Sequence, residues 1–161
     1  MVAVDPPATQ HGAACGIVVV GRAEGRAYVL ADLSQRGLTP NGWAARVAAA
    51  VERWDAHAVV AESNQGGDMV RSVLETAGVR APVHTVHAQY GKVVRAEPVA
   101  QLYEQGRVLH TDTFPQLEEE LLAFGAEGIR GPSPDRADAL VWAVTDLLID
   151  ADRWLPRITV L

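Results

Sequence analysis

The sequence predicts an α/β domain built on a central mixed β-sheet flanked by helices on both faces, and three observations lead there. Strand-like and helix-period segments succeed one another in the order βββαβα, followed by further helices. The run 57–61 is apolar almost throughout, as expected of a central strand covered by helices on both sides. A length of 161 residues, 48% apolar and 21% charged, suits one folded domain with its own core. That domain is expected over 1–150, with 151–161 as a C-terminal tail.

Each element has a local reason. Residues 2–4 form a short apolar strand that ends at Asp5, because Pro6 and Pro7 cannot continue a ladder. The runs 15–21 and 27–33 are strand-like and joined by RAEGR, whose Glu24-Gly25 suits a hairpin turn, so the chain opens as three antiparallel strands. Thr39 is placed to cap a helix with Pro40 at its first position, and Trp43, Val47, Ala50, Val51 and Trp54 follow at helical spacing. The strand 57–61 leads to Glu62 and a Ser-Asn-Gln-Gly-Gly turn. A helix over 68–77 is expected to turn Met69, Val73 and Leu74 to the core. Residues 83–86 make a further strand, 92–105 a helix that Pro98 should interrupt or kink, and Val108-Leu109 an edge strand. An amphipathic acidic helix over 114–124 and a long helix over 134–149 complete the order.

Composition narrows the function classes. No apolar run approaches the ~20 residues of a membrane span. Met1 opens directly on VAVD without a basic leader and apolar signal core, which predicts a cytosolic protein with no membrane partner. The single cysteine, Cys15, lies in an apolar run and is expected to be buried and inert; a thiolate metal site is excluded for want of partners. The net charge of −6 counts against a simple nucleic-acid-binding module, whose affinity for phosphate comes mainly from Lys and Arg. It leaves a metal-dependent nuclease open, because bound cations reverse the local field. DNA affinity of the domain alone should then be weak, with another domain or partner delivering the substrate.

Three acids stand where apolar elements end or pack: Asp5, Glu62 and Asp138. Taken alone, Asp5 is also a turn-forming residue before proline, and Glu62 is either a strand-end ligand or a solvated loop residue. Asp138 is more informative. With Ser133 as helix cap and Pro134 as the first helical residue, Asp135 meets the positive end of the helix dipole. Asp138 lies one turn further in and shares its face with Val141 and Trp142, so it needs a partner: Arg136, another basic side chain, or a metal. Carboxylates suit hard divalent ions, and two such ions about 4 Å apart can activate water and stabilise the leaving oxygen in phosphodiester hydrolysis. No Ser-His-acid arrangement stands out. His84 and His87 read as surface or loop residues rather than ligands.

The segments VDPP, CGIVVVG, AESNQGGDMV, GKVVRAEPVAQLYEQGRV, LEEELLAF and SPDRADALVWAVTDL, in that order, resemble the C-terminal nuclease domain of the phage terminase large subunit. The similarity is strongest to terminases of prophages and gene transfer agents, and it covers about positions 2–148. It implies an RNase H-like fold and cleavage of double-stranded DNA during genome packaging in a bacterial host cytoplasm. It also implies Mg²⁺ or Mn²⁺ as cofactor, as two ions. The family's catalytic, metal-binding acids fall on Asp5, Glu62 and Asp138, with Asp5 bridging the ions and Asp135 as an outer-shell or alternative ligand. The implied partners are a packaging ATPase domain, the small terminase subunit and the portal.

Two departures accompany the resemblance. Many relatives carry another acid before the GIVV strand, where this chain has His11, Ala13 and Ala14. No GxxxxGK[ST] phosphate loop is present, so the chain reads as a nuclease domain without its ATPase, and ATP hydrolysis is not assigned to it. Lys92 and Arg95 resemble the family's basic motif and could reach DNA phosphate; three apart on a helix, they could equally be a solvated face, with Arg95 paired to a carboxylate. Asn64, Gly66 and Gly67 shape the loop after Glu62, either for close backbone approach or for helix initiation. The apolar tail is expected to pack on the sheet or meet the packaging machinery. A Holliday junction resolvase or ribonuclease of the same fold is the nearest alternative activity, and a catalytically silent docking domain of the motor is the alternative of another class.

Overall fold

A computed structural model describes residues 1–7, 14–63, 67–89, 91–124 and 133–151. Asn64, Gly66, His11, Ala13 and residues 152–161 of the tail lie outside the described residues. The strands are β1 (Val2–Asp5), β2 (Ala14–Ala23), β3 (Arg26–Asp32), β4 (Gln35–Arg36), β5 (Val59–Glu62), β6 (Val83–Val86) and β7 (Val108–His110). The helices are α1 (Pro40–Arg53), α2 (Asp68–Thr76), α3 (Lys92–Glu104), α4 (Pro115–Ala123) and α5 (Asp135–Val144), the last running into a π-helical turn, Thr145–Ile149. Among the described residues, no helix is long and apolar enough to cross a membrane.

One mixed sheet runs in the order β6-β5-β1-β2-β3-β7. The antiparallel opening is present: β1 pairs with β2 and β2 with β3, while β5 and β6 add in parallel beside β1 and β7 adds in parallel to β3 at the far edge. The β2–β3 hairpin turns on Glu24 (φ 50°) and Gly25 (φ 73°), two consecutive left-handed residues that match the twist of the flanking strands. The two-residue β4 has no counterpart in the sequence reading. Its cause is Ser34, whose hydroxyl accepts from the Ile17 amide at 2.9 Å in place of a ladder carbonyl, after which Gln35 and Arg36 rejoin β2.

Strand parity divides the core. Val2, Val4, Ile17, Val19, Val59 and Ala61 pack under α1 and α2, whereas Ala3, Val18, Val20 and Val60 face α3, α4 and α5. The same alternation carries Asp5 and Glu62 onto the α5 face at the carboxyl ends of β1 and β5. The parallel register, which sets Val4 opposite Ala61, makes the next residues of the two strands neighbours.

Four local expectations shift. In α2 the buried residues are Val70 and Leu74, with Val73 half-buried, while Met69 is 58% exposed; the stripe begins one residue later than its apolar sequence suggests. Pro98 sits inside a continuous α3. It is tolerated because Pro98 and Val94 are both exposed, so water can reach the carbonyl that the proline leaves unbonded. Helix α5 starts at Asp135 with Pro134 as its cap residue, and Ser133 instead takes a hydrogen bond from Lys92 at 2.9 Å. The long helix expected over 134–149 changes to π geometry after Val144, where the Asp150 amide bonds the Thr145 carbonyl at 2.8 Å.

Helix α5 and strand β2 meet backbone to backbone at Gly16. Gly16 stands opposite Asp5 in the ladder, and a Cβ built on it would fall 1.9 Å from the Asp135 carbonyl oxygen. Only glycine lets the first turn of α5 come this close to the strand. Gly16→Ala is therefore expected to force α5 away and to destabilise the domain by about 1–3 kcal/mol. Urea unfolding with unchanged slope and a lowered midpoint would show it.

Candidate metal centre

Four carboxylates converge on the α5 face. Asp5 ends β1 and Glu62 ends β5, while Asp135 and Asp138 project from the first turn of α5. Asp5, Asp135 and Asp138 are buried, and Glu62 keeps only 13% of its side chain exposed. Asp138, at 1% exposure, is the most enclosed of them. All four acids named from the sequence thus lie close enough for the charges of the other three to act on Asp5.

Among the described residues, two cations answer this charge. Lys92, the only lysine of the chain, reaches from the start of α3 to Asp138 Oδ2, and Arg95 Nη2 meets Asp138 Oδ1 at 3.2 Å. Arg95 Nη1 also lies 3.6 Å from Glu62 Oε2. The basic side chains that meet Asp138 are therefore this pair and not Arg136, which is bonded to Asp32, Gln116 and Glu120 instead. The two basic residues differ in setting: the Lys92 side chain is 43% exposed and Arg95 only 9%. Arg95 is further held by its guanidinium lying 4.5 Å from the centre of the Trp142 ring.

In the sequence Trp142 stands only as part of an apolar face. Its indole Nε1 donates to Glu62 Oε2 at 2.6 Å, tying the end of β5 to a residue one turn beyond Asp138 on α5. The signal was available in principle, since a half-buried tryptophan N–H requires an acceptor. Which acceptor it finds depends on the sheet order. Beside Arg95 and Trp142 a cleft of about 420 Å³ opens, lined also by Thr85, His87 and Gln89.

His84 lies half-buried on β6, and His87 is exposed beside it, 3.2 Å through Nε2 from the Ser63 hydroxyl. Gly67 precedes α2 with φ 39°, and a Cβ there would meet nothing within 4 Å. The left-handed backbone that starts the helix is by itself a reason for glycine here. Cys15 is buried as expected, and burial pushes its thiol well above the ordinary range.

The electrostatics show a surplus of negative charge. Burial raises the Asp5 carboxyl well above the usual carboxylate range, and Glu62, Asp138 and Asp135 add repulsion that Lys92 only partly offsets. Asp138 is also raised, by burial first, against the pull of Lys92 and Arg95. Asp135 is raised chiefly by burial, and its Oδ2 is a buried oxygen with no hydrogen-bond partner. Hard oxygen donors, mutual repulsion and an orphaned carboxylate oxygen are what a divalent cation would relieve. The donor set therefore fits such an ion. The spacing is not closed around one: no group of three His, Cys, Asp or Glu among the described residues is already arranged as a metal site, and Asp138 gives both its oxygens to Lys92 and Arg95.

A family model described as the terminase RNase H-like domain matches residues 2–147. No curated protein matches the chain. Among solved structures, the large terminase nuclease of the thermophilic phage G20c with bound magnesium aligns at a TM-score of 0.72 and 21% identity, covering 89% of this chain and 79% of that one. The nuclease domain of the large terminase of bacteriophage SPP1 with bound Mn aligns at 0.60 and 14%, covering 89% and 83%. Thermus thermophilus RuvC aligns at 0.50 and 17%, covering 92% and 93%. At these identities the likeness is one of fold, and the fold is RNase H-like.

The raised acids make a prediction for the metal-free protein. A carboxyl whose folded pKa lies above its unfolded value costs the native state nothing while both forms are protonated, below about pH 4. It destabilises progressively as pH rises through the raised value. In chelator, Asp5→Asn is expected to raise the melting temperature at pH 8, by roughly 2–4 °C for each kcal/mol of repulsion removed. The gain should shrink toward pH 4. A gain independent of pH across that interval would contradict the charge surplus.

Proposed function

The chain belongs to the terminase RNase H-like domain family, and from that premise we propose that it is the metal-dependent endonuclease domain of a DNA-packaging terminase large subunit, cutting double-stranded DNA. The observation that carries this reading is the convergence of Asp5, Glu62, Asp135 and Asp138 at the carboxyl ends of two parallel strands, buried with more negative charge than Lys92 and Arg95 offset. Strand ends of this kind are where α/β sheets bind their ligands.

In this proposal Asp5, Glu62 and Asp138 hold Mg²⁺ or Mn²⁺, with Asp135 as the outer or alternative ligand. The G20c and SPP1 nucleases have been solved with bound magnesium and Mn, which supports that choice. Two bound ions would supply an activated water and a stabilised leaving oxygen for in-line hydrolysis. The protein's own part is positional. Trp142 fixes one oxygen of Glu62, Arg95 spans Glu62 and Asp138, and the α5 dipole points its positive end toward the acids. Lys92, the more exposed cation, is the group suited to a DNA phosphate, while Arg95 is enclosed and acts on the carboxylates. A net charge of −6 supplies little general affinity for DNA, so the packaging ATPase domain, the small terminase subunit and the portal are the proposed partners that present it.

The likeness to RuvC keeps a second reading, a junction resolvase or ribonuclease on the same fold. Cleavage of linear duplex in preference to a four-way junction and an RNA–DNA hybrid is the expected result, and a preference for either alternative substrate would reassign the enzyme. Asp5→Ala and Asp138→Ala should each reduce Mn²⁺-dependent plasmid cleavage to background while the circular dichroism spectrum is retained. Full activity in both variants would overturn the site. A calorimetric titration that detects no Mn²⁺ binding to the wild-type protein would favour a silent docking domain instead.

A further inference from the structure

Helix α5 carries two of the four acids, yet its own sequence does not hold its first turn. Pro134 offers no capping side chain, and Ser133 is engaged by Lys92. The first amides of a helix lack intrahelical acceptors and require a partner when they are buried. Here the partner comes from another helix. Glu120 on α4 accepts through Oε2 from the backbone amides of Arg136 (2.9 Å) and Ala137 (3.2 Å). Its Oε1 accepts from Arg136 Nη1 at 2.9 Å.

Arg136 completes the attachment. Its Nη2 donates to Gln116 on α4 at 2.8 Å, and its Nε lies 3.2 Å from Asp32 Oδ2 at the end of β3. Gln116 and Glu120 are one turn apart and share the α4 face that meets α5, while Leu117 between them is fully buried and seats the helix in the core. The first turn of α5 is thus gripped by α4 on one side and laid on Gly16 of β2 on another. Asp135 and Asp138 leave that same turn toward the acid cluster.

We infer that Glu120 is a positioning residue for the candidate metal centre: it caps α5 from α4 and thereby sets where Asp135 and Asp138 stand relative to Asp5 and Glu62. The inference rests on the metal-dependent reading of those acids. A negative group at these amides also complements the helix dipole, so Glu120 does from a distance what an N-cap aspartate does locally. Neighbouring Glu119 is exposed and serves as a control for loss of surface charge on the same helix.

The test compares wild type, Glu120→Ala, Glu120→Gln and Glu119→Gln in the full chain. Hydrogen–deuterium exchange of the segment 133–144 reads the cap directly, Mn²⁺ calorimetry reads the acid geometry, and cleavage kinetics separate kcat from KM. Glu120→Ala is expected to exchange faster at Arg136 and Ala137, to bind Mn²⁺ about tenfold more weakly and to lose kcat with KM for DNA kept, in line with the usual effect of removing a supporting residue. Glu120→Gln, which keeps one acceptor oxygen, should fall between, and it carries the comparison if the alanine variant does not fold. Glu119→Gln should match wild type. Wild-type Mn²⁺ affinity in a folded Glu120 variant, or an equal loss in Glu119→Gln, would overturn the inference alone. Absence of Mn²⁺ binding in the wild type would overturn the metal reading and this inference with it.

Discussion

The close approach of α5 to β2 at Gly16 is the constraint on which the rest of the site depends. A helix normally stands off a sheet by the depth of the side chains between them, which would leave its first-turn carboxylates remote from the strand ends. With no Cβ at Gly16, the backbone at Asp135 rests almost directly on the strand, opposite the residue pair that includes Asp5. The acids on the helix and the acids on the sheet are then brought into one buried space. Elsewhere the α5 face is filled by small and branched side chains, Ala3, Val18, Ala139 and Ala143 among them, which keep the helix seated along its length.

That geometry creates an electrostatic problem for the metal-free fold. Carboxylates taken out of water repel one another, and neither Lys92 nor the enclosed Arg95 neutralises all of them. The domain tolerates the cost because the surrounding scaffold is over-determined: the sheet is apolar on both faces, and α5 is bonded at its first turn by α4 and β3. Stability spent on a preorganised cluster is the usual relation between a scaffold and a functional site.

Much of this was legible along the chain. The strand at 57–61, the Glu24-Gly25 turn, the Thr39 cap and the antiparallel opening all follow from local rules, and all are present with small changes of boundary. Asp138 could be singled out because a carboxylate at helical spacing from Val141 and Trp142 must have a partner. The identity of that partner was not legible, since Lys92 and Arg95 are more than forty residues away and approach only through the packing of α3 on α5. Met69 misled because a single apolar residue beside a helix start fits two adjacent stripes, and Pro98 misled because its effect depends on whether the freed carbonyl meets water.

The sequence by itself determined the class of fold and the alternation that turns Asp5 and Glu62 out of the apolar rows of their strands, because periodicity is a local property. Only the tertiary structure decided which residues complete the candidate site. Trp142 on Glu62, Arg95 between two acids, Glu120 on the amides of α5 and Gly16 beneath Asp135 are all contacts between distant segments. Their partners are chosen by sheet order and helix packing, and no local pattern specifies a distance across the fold.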